Sequence, residues 1–245
     1  MKTIKINNTI PKLDKNIACI GYFDGLHLGH KKLIDKTIAL SKKNNLKASL
    51  ISFDPDPLDI INKNKNLHIY SKKYSKKIIE EYGFDYYIII KFDKQLMSAS
   101  PKEFINNYLD KLNIDTLVCG FDFSFGYKAK GNYNYLKKHS SFKTIKIDVY
   151  KYYNSKVSSS RIKDSISKGN FKLASKLLNR DYKIVLTVLK CLKNKSKTII
   201  EAKSYYNDVL IPKDSIFDGF YIKDNKFYIE TKTKLNKGDI FEFIP

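Results

Sequence analysis

Apolar and polar positions follow two rhythms along this chain, and the rhythm changes once. "NIACIGYF" (16–23) is a continuous apolar run ahead of a glycine-bearing turn, the pattern of a buried strand. "HKKLIDKTIALSKKN" then places Leu33, Ile34, Ile38 and Leu40 at helical spacing and predicts an amphipathic helix. "LKASLISFDPDP" predicts a second strand, stopped by Pro55 and Pro57. "SKKYSKKIIEEYGF" predicts a helix ending at Gly83, and "DYYIIIKF" a third strand. "SPKEFINNYLDKLN" predicts a helix with Ser100 as N-cap and Pro101 in its first position. "IDTLVCGFDF" and "FKTIKIDVY" predict two more strands, with a helix over "NYNYLKKHSS" between them. "SSSRIKDSISKGNFKLASKLLN" is helical, interrupted near Gly169.

Strands that alternate with helices imply βαβ units and a doubly wound α/β domain on a parallel sheet, a Rossmann-like architecture. Near Asp181 the pattern becomes "KIVLTVLKCLK", "KTIIEAK", "VLIP", "GFYIK", "KFYIETKT" and "DIFEFIP", short alternating segments with polar turns. This is the pattern of a small all-β module of about sixty residues, a sandwich or barrel. The expected division is therefore 1–182 and 183–245.

Hydrophobic residues make up 42% of 245, enough for a packed core. The formal net charge of +21 favours an anionic partner. Almost all of that charge is lysine, with Arg161 and Arg180 the only arginines, and it is spread along the chain rather than gathered in a basic tail. This pattern is expected of solvated faces, with nucleic acid not expected as a partner. Cys19, Cys119 and Cys191 lie far apart in apolar contexts without a CxxC pair, as expected of reduced, strand-buried thiols. The opening "MKTIKINNTIPKLDK" has no apolar core of a secretory signal, and no apolar run approaches the ~20 residues of a membrane span. A cytoplasmic protein, monomeric or weakly self-associating and without membrane partners, is expected.

Three segments carry candidate chemistry. The first is "IGYFDGLHLGHKKLI", which holds two of the chain's four histidines, His27 and His30. It lies where a strand turns into a helix, and ligands of parallel α/β sheets gather beyond the carboxyl ends of the strands. The helix start offers free N–H groups and a positive dipole end to phosphate. Gly29 permits close backbone approach, and the two histidines can donate hydrogen bonds to phosphoryl oxygens. His68 and His139 show no ligand spacing to this pair, so zinc is not expected, and no resident metal is assigned. The second segment is "VSSSRIKDSI". Its serines cap a helix, and Arg161 stands out in a chain that otherwise uses lysine. The third is "VCGFDFSFGYKAKGN", where Asp122 sits among Phe121, Phe123 and Phe125 after a strand and is suited to a flat heterocycle.

"GYFDGLHLGH", "ISFDPDP", "CGFDFSFGYKAKGN" and "VSSSRIKDSISKGNFKLASKLLNRDY" occur in the order and spacing of bacterial FAD synthetases, the bifunctional riboflavin kinase/FMN adenylyltransferases. "FDKQLMSASPKEFI" also resembles that family's flavin-side segment. The resemblance covers 18–182. It implies the reaction of Mg·ATP and FMN to FAD and pyrophosphate, by direct in-line attack and without a covalent enzyme intermediate. It implies that His27 and His30 hold the ATP phosphates and the transition state, while Gly21, Phe23, Asp24 and Gly29 shape the loop. It assigns Ser158, Ser159 and Ser160, with Arg161 and Lys163, to the β/γ-phosphates, and Gly120 and Asp122 to the nucleotide. Phe53, Pro55, Phe123 and Phe125 fall on the flavin side.

The chain departs from the family in three places. The family's Ser-Ser-Thr-x-x-Arg is here Ser158, Ser159, Ser160 and then Lys163 in the arginine position, with Arg161 nearby. The family's Phe-x-Pro-His-Pro is here "FDPDP", with Asp56 in the histidine position. The Gly-rich stretch ending in Pro-Thr-Ala-Asn, which marks the kinase module, has no counterpart in 183–245, where the only glycines are Gly219 and Gly238. A reduced riboflavin-kinase-like remnant without kinase activity is therefore expected. Two other readings stay open: an HxGH transferase for nicotinate mononucleotide, phosphopantetheine or a cytidylyl acceptor, and a non-catalytic protein that binds flavin or nucleic acid.

Overall fold

The computed structural model describes residues 1–7, 9–62, 67–194, 197–212 and 214–245. The chain forms two compact units, Met1–Asn66 with Ser75–Lys156, and Leu67–Tyr74 with Val157–Pro245. In chain order the first carries β1 (Lys2–Ile6), β2 (Asn16–Ile20), α1 (Leu28–Asn44), β3 (Lys47–Asp54), α2 (Pro57–Asn62), α3 (Lys72–Glu81, which begins in the second unit) and β4 (Tyr86–Lys91). It continues with α4 (Lys94–Ser98), α5 (Pro101–Phe104), β5 (Ile114–Gly120), β6 (Ser124–Phe125), β7 (Gly131–Asn132), α6 (Tyr133–His139), β8 (Lys143–Ile147), β9 (Lys151–Tyr152) and β10 (Ser155–Lys156).

Six of these strands form one parallel sheet in the order β1-β4-β3-β2-β5-β8. Every residue of β2 is buried, as a strand covered on both faces requires, which is why "NIACI" shows no alternation. The edge strands β1 and β8 keep lysines at exposed positions, which blunts pairing with other chains. Strand β1 was not predicted, because its five residues open the chain without a flanking turn signal. Ser100 is the N-cap of α5 and Pro101 stands at its start, as the sequence predicts, and Glu103 closes a reciprocal capping box with Ser100. Beyond Phe104 that helix loosens into a wider turn over Ile105–Leu109 and a tighter one over Asp110–Leu112.

The second unit carries α7 (Ser159–Ser167), α8 (Phe171–Leu178), β11 (Ile184–Asn194), β12 (Lys197–Ser204), β13 (Ser215–Phe217), β14 (Phe220–Lys223), β15 (Lys226–Thr231) and β16 (Ile240–Phe243). Gly169, at φ +71°, separates the two helices as the sequence predicts. The strands form one antiparallel sheet in the order β13-β14-β15-β12-β11-β16. Phe220 on β14 and Phe243 on β16 stand four strand spacings apart in that order, with three strands between them, yet their ring centroids are 5.0 Å apart. A flat sheet with ~4.8 Å spacing would hold them roughly 19 Å apart, so the sheet curls around an aromatic core that includes Phe227. One expected strand is absent: in "VLIP" only Val209 pairs, in an isolated bridge to His68. Among the described residues no helix is long and apolar enough to cross a membrane.

Candidate active site

The order of the parallel sheet fixes where a ligand can sit. From β2 the chain moves to β3 and β4 on one side, then returns to β5 on the other side of β2. The carboxyl ends of β2 and β5 therefore flank a topological switch point, where open α/β sheets form their crevice. "GYFDGLHLGH" leaves β2 there, and "GFDFSFG" leaves β5.

After β2, Gly21 is held to the sheet by its N–H, which donates to the Ile51 carbonyl at 3.1 Å. Asp24–Leu26 makes one tight turn, with Gly25 at φ +78° and Leu26 at φ +47°. Phe23, Asp24, Leu26 and His27 are all buried. His27 is the N-cap of α1, one residue before its first turn. Gly29 and His30 lie inside that turn.

His27 Nδ1 accepts the His30 backbone N–H at 3.3 Å, and the two imidazoles stack with centroids 3.7 Å apart. Phe23 leans on His30 at 5.1 Å. Burial pushes the His27 imidazole down to about 4, with Lys156 depressing it further and Asp122 opposing. Burial also holds His30 well below the usual histidine range, and the neighbouring His27 adds to the effect. Both rings are therefore neutral near pH 7. Because its Nδ1 is an acceptor, neutral His27 carries its proton on Nε2 and offers it as a donor. His30 Nδ1 is buried and meets no hydrogen-bond partner among the described residues.

Asp122, exposed after β5, pairs with the Lys156 ammonium. The same Lys156 Nζ lies 4.8 Å above the Phe121 ring. Gly120 leaves room at this corner, since a Cβ there would stand 3.2 Å from Asp122 Oδ1. Lys156 was missed from the sequence: in "SKVSSS" it is one lysine among many, with no contrast to mark it.

The flavin-side candidates also come together. Phe53 contacts Phe104 at 6.4 Å, Phe104 contacts Phe125 at 5.4 Å, and Phe123 stacks on Phe125 at 5.5 Å. Pro55 follows Asp54 through a cis peptide at the end of β3. The hairpin of β6 and β7 is held tightly: a Cβ on Gly131 would meet the Phe125 ring at 2.6 Å. A Cβ on Gly126, at φ +72°, would meet the Pro101 backbone at 2.7 Å. Asp56, in the histidine position of the family's motif, is buried, and its Oδ1 accepts the Leu58 N–H at 2.8 Å.

The serine segment belongs to the second unit. Ser158 is the N-cap of α7, and its hydroxyl accepts the Arg161 N–H at 3.3 Å. Ser159, Ser160 and Arg161 make the first turn. Lys163 follows Ser159 by four and Ser160 by three, so these three share a helix face. Arg161 is about 200° around the helix from Lys163, on the side of Ser165, whose hydroxyl donates to the Arg161 carbonyl at 2.9 Å.

Burial pushes the Cys19 and Cys119 thiols up to about 12, and both are fully enclosed in β2 and β5. They are packing groups rather than nucleophiles.

The model of the FAD synthetase family matches residues 9–161. A bifunctional riboflavin kinase/FMN adenylyltransferase of Buchnera aphidicola subsp. Acyrthosiphon pisum is 39% identical over 191 residues, covering 75% of this chain and 61% of the relative. One from Bacillus subtilis is 31% identical over 190 residues, covering 74% and 60%. A protein named FAD synthetase from Listeria monocytogenes is 28% identical over 176 residues, covering 69% and 70%. This chain thus spans about three fifths of the bifunctional relatives it matches. A Streptococcus pneumoniae crystal structure titled macrolide-efflux protein shares the fold, with a TM-score of 0.85 over 98% of this chain and 88% of that one, at 22% identity. With the family model matched over more than half its length, this chain belongs to the FAD synthetase family.

Proposed function

We propose that this protein is an FMN adenylyltransferase, making FAD and pyrophosphate from FMN and Mg·ATP, without riboflavin kinase activity. One observation carries the reading: two neutral, stacked imidazoles, one capping a helix and one in its first turn, stand at the switch point of a parallel sheet, beside Asp122, Lys156 and a phenylalanine cluster.

In this reading an oxygen of the FMN phosphate attacks the α-phosphorus of ATP. A new P–O bond forms, the bond to the β-phosphate oxygen breaks, and magnesium pyrophosphate leaves. The transfer requires alignment and charge stabilisation rather than an enzyme nucleophile. His27 Nε2–H and the His30 ring donate to the phosphoryl oxygens as negative charge shifts towards the leaving group. Gly21, Phe23, Asp24 and Gly29 hold the loop in shape, and Gly120 and Asp122 line the nucleotide side. Ser158, Ser159 and Ser160 supply hydroxyl and N–H donors to the β/γ-phosphates. Lys163 shares the helix face of Ser159 and Ser160 and supplies the charge there, ahead of Arg161. Phe53, Pro55, Phe123 and Phe125 hold the isoalloxazine ring. Residues 1–182 carry this function. Residues 183–245 lack the Pro-Thr-Ala-Asn stretch and form a reduced kinase-like remnant.

An acceptor screen tests the assignment. Purified protein is given Mg·ATP and one acceptor at a time: FMN, riboflavin, nicotinate mononucleotide or phosphopantetheine. Pyrophosphate release with FMN alone supports the reading, and release with another acceptor alone overturns it.

A further inference from the structure

The outward face of the C-terminal sheet is ordered in a way that bulk charge does not explain. Register places Lys223 opposite Lys226, and Lys226 opposite Lys203, so three ammonium groups stand side by side on β14, β15 and β12. The next row along the strands places Ile216, Tyr221 and Tyr228 side by side, followed by Glu201 and Lys190. Tyr221 and Tyr228 stack face to face, with centroids 4.5 Å apart and planes within 7°. Ile216 is 89% exposed and Tyr221 37% exposed at the edge of the sheet.

Like charges on neighbouring strands destabilise a sheet. Lys226 is relieved by Glu201 at 2.8 Å, while Lys203 and Lys223 make no ion pair among the described residues. Strand register places three carboxylates on this face: Glu201, Glu230, exposed one row further on, and Glu242 on β16, which pairs with Lys183 at 3.0 Å. The lysine row and the tyrosine row are about 7 Å apart, two residues along a strand. A nucleotide presents the matching chemistries side by side, a phosphate and a flat base joined through one sugar. Proteins that hold single strands combine a cationic track with aromatic rings on which bases stack.

We propose that this face docks single-stranded nucleic acid, with Lys203, Lys223 and Lys226 on successive phosphates and bases extending the Tyr221–Tyr228 stack. The surface lies wholly within the second unit and is independent of adenylyl transfer. A duplex, whose bases are stacked inside, offers this face only its backbone. An anionic lipid surface would use the lysines without requiring ring-on-ring tyrosines.

Fluorescence anisotropy of a labelled twelve-nucleotide oligouridylate, titrated with the full chain, tests the proposal. The expected result is binding whose log affinity falls with log salt at a slope of about −2, for three phosphates on a single strand. Stacking is worth ~1–3 kcal/mol per base. The Tyr221→Ala/Tyr228→Ala variant should therefore bind roughly tenfold or more weakly, with its thermal midpoint close to the parent's. Lys203→Glu/Lys223→Glu should weaken binding further and flatten the salt slope. Three results would overturn the proposal: no binding at 50 mM salt, equal binding by the tyrosine variant, or tyrosine-dependent capture by phosphatidylserine vesicles with no oligonucleotide binding.

Discussion

His27 accepts the backbone N–H of His30 through Nδ1 at 3.3 Å, and the two rings stack at 3.7 Å. One residue thus caps the helix and fixes its own tautomer, which leaves Nε2–H as its donor. Its two roles can be separated. Asparagine also caps helices well. His27→Asn should therefore keep the thermal midpoint within a few degrees yet lower kcat by roughly 10²-fold or more, the usual effect of removing one electrostatic donor. Steady-state kinetics and a thermal melt on the same sample check both halves.

The buried, neutral His27 makes stability depend on pH. Its folded value, about 4, lies below the ordinary 6.5, so the unfolded chain binds the proton more readily between those values. The stabilisation is fully present above pH 6.5 and is lost as pH falls through 4, reaching about 3 kcal/mol by pH 4. Carboxylates add their own acid dependence, so the quantity to measure is a difference. Urea unfolding of the parent minus that of His27→Asn should shrink or change sign between pH 7 and pH 4.5. A constant difference would contradict a buried neutral ring.

Lys163 shares a helix face with Ser159 and Ser160, and Arg161 does not. Lys163→Ala should raise KM for ATP and lower kcat/KM by roughly tenfold or more, while Arg161→Ala does distinctly less. Lys163→Arg, which restores the family's residue, should keep activity. The reverse ranking of the two alanine variants would place Arg161 on the phosphates.

Gly126 has φ +72°, and a Cβ there would lie 2.7 Å from the Pro101 nitrogen. Gly126→Ala should destabilise by about 1–3 kcal/mol, the range for a strained backbone position. Because Phe123 and Phe125 lie on the same hairpin, KM for FMN should rise more than KM for ATP. Chemical unfolding and substrate titrations measure the two effects separately.

Much of this molecule is legible in its sequence. Continuous apolar runs such as "NIACI" mark the covered strands, and Ser100 and Pro101 mark a helix start that forms as written. The histidine, aspartate and phenylalanine candidates of the first unit stand where strand ends place them. Features that rest on packing rather than pattern were harder to read. "VLIP" alternates weakly and supplies one bridge instead of a strand. Lys156 draws its place from the β9–β10 hairpin that carries it toward Asp122 and Phe121, and a lysine-rich chain gives no hint of that. Nor does sequence reveal that three lysines on three strands become neighbours, because register is a property of the folded sheet.

The most direct test of the central claim is chromatographic. The purified chain is incubated with Mg·ATP and either FMN or riboflavin, and the flavins are separated. FAD from FMN, with riboflavin unchanged, is the predicted result. No FAD from FMN would contradict adenylyl transfer at His27 and His30, and FMN formed from riboflavin would contradict the reading of residues 183–245 as a remnant without kinase activity.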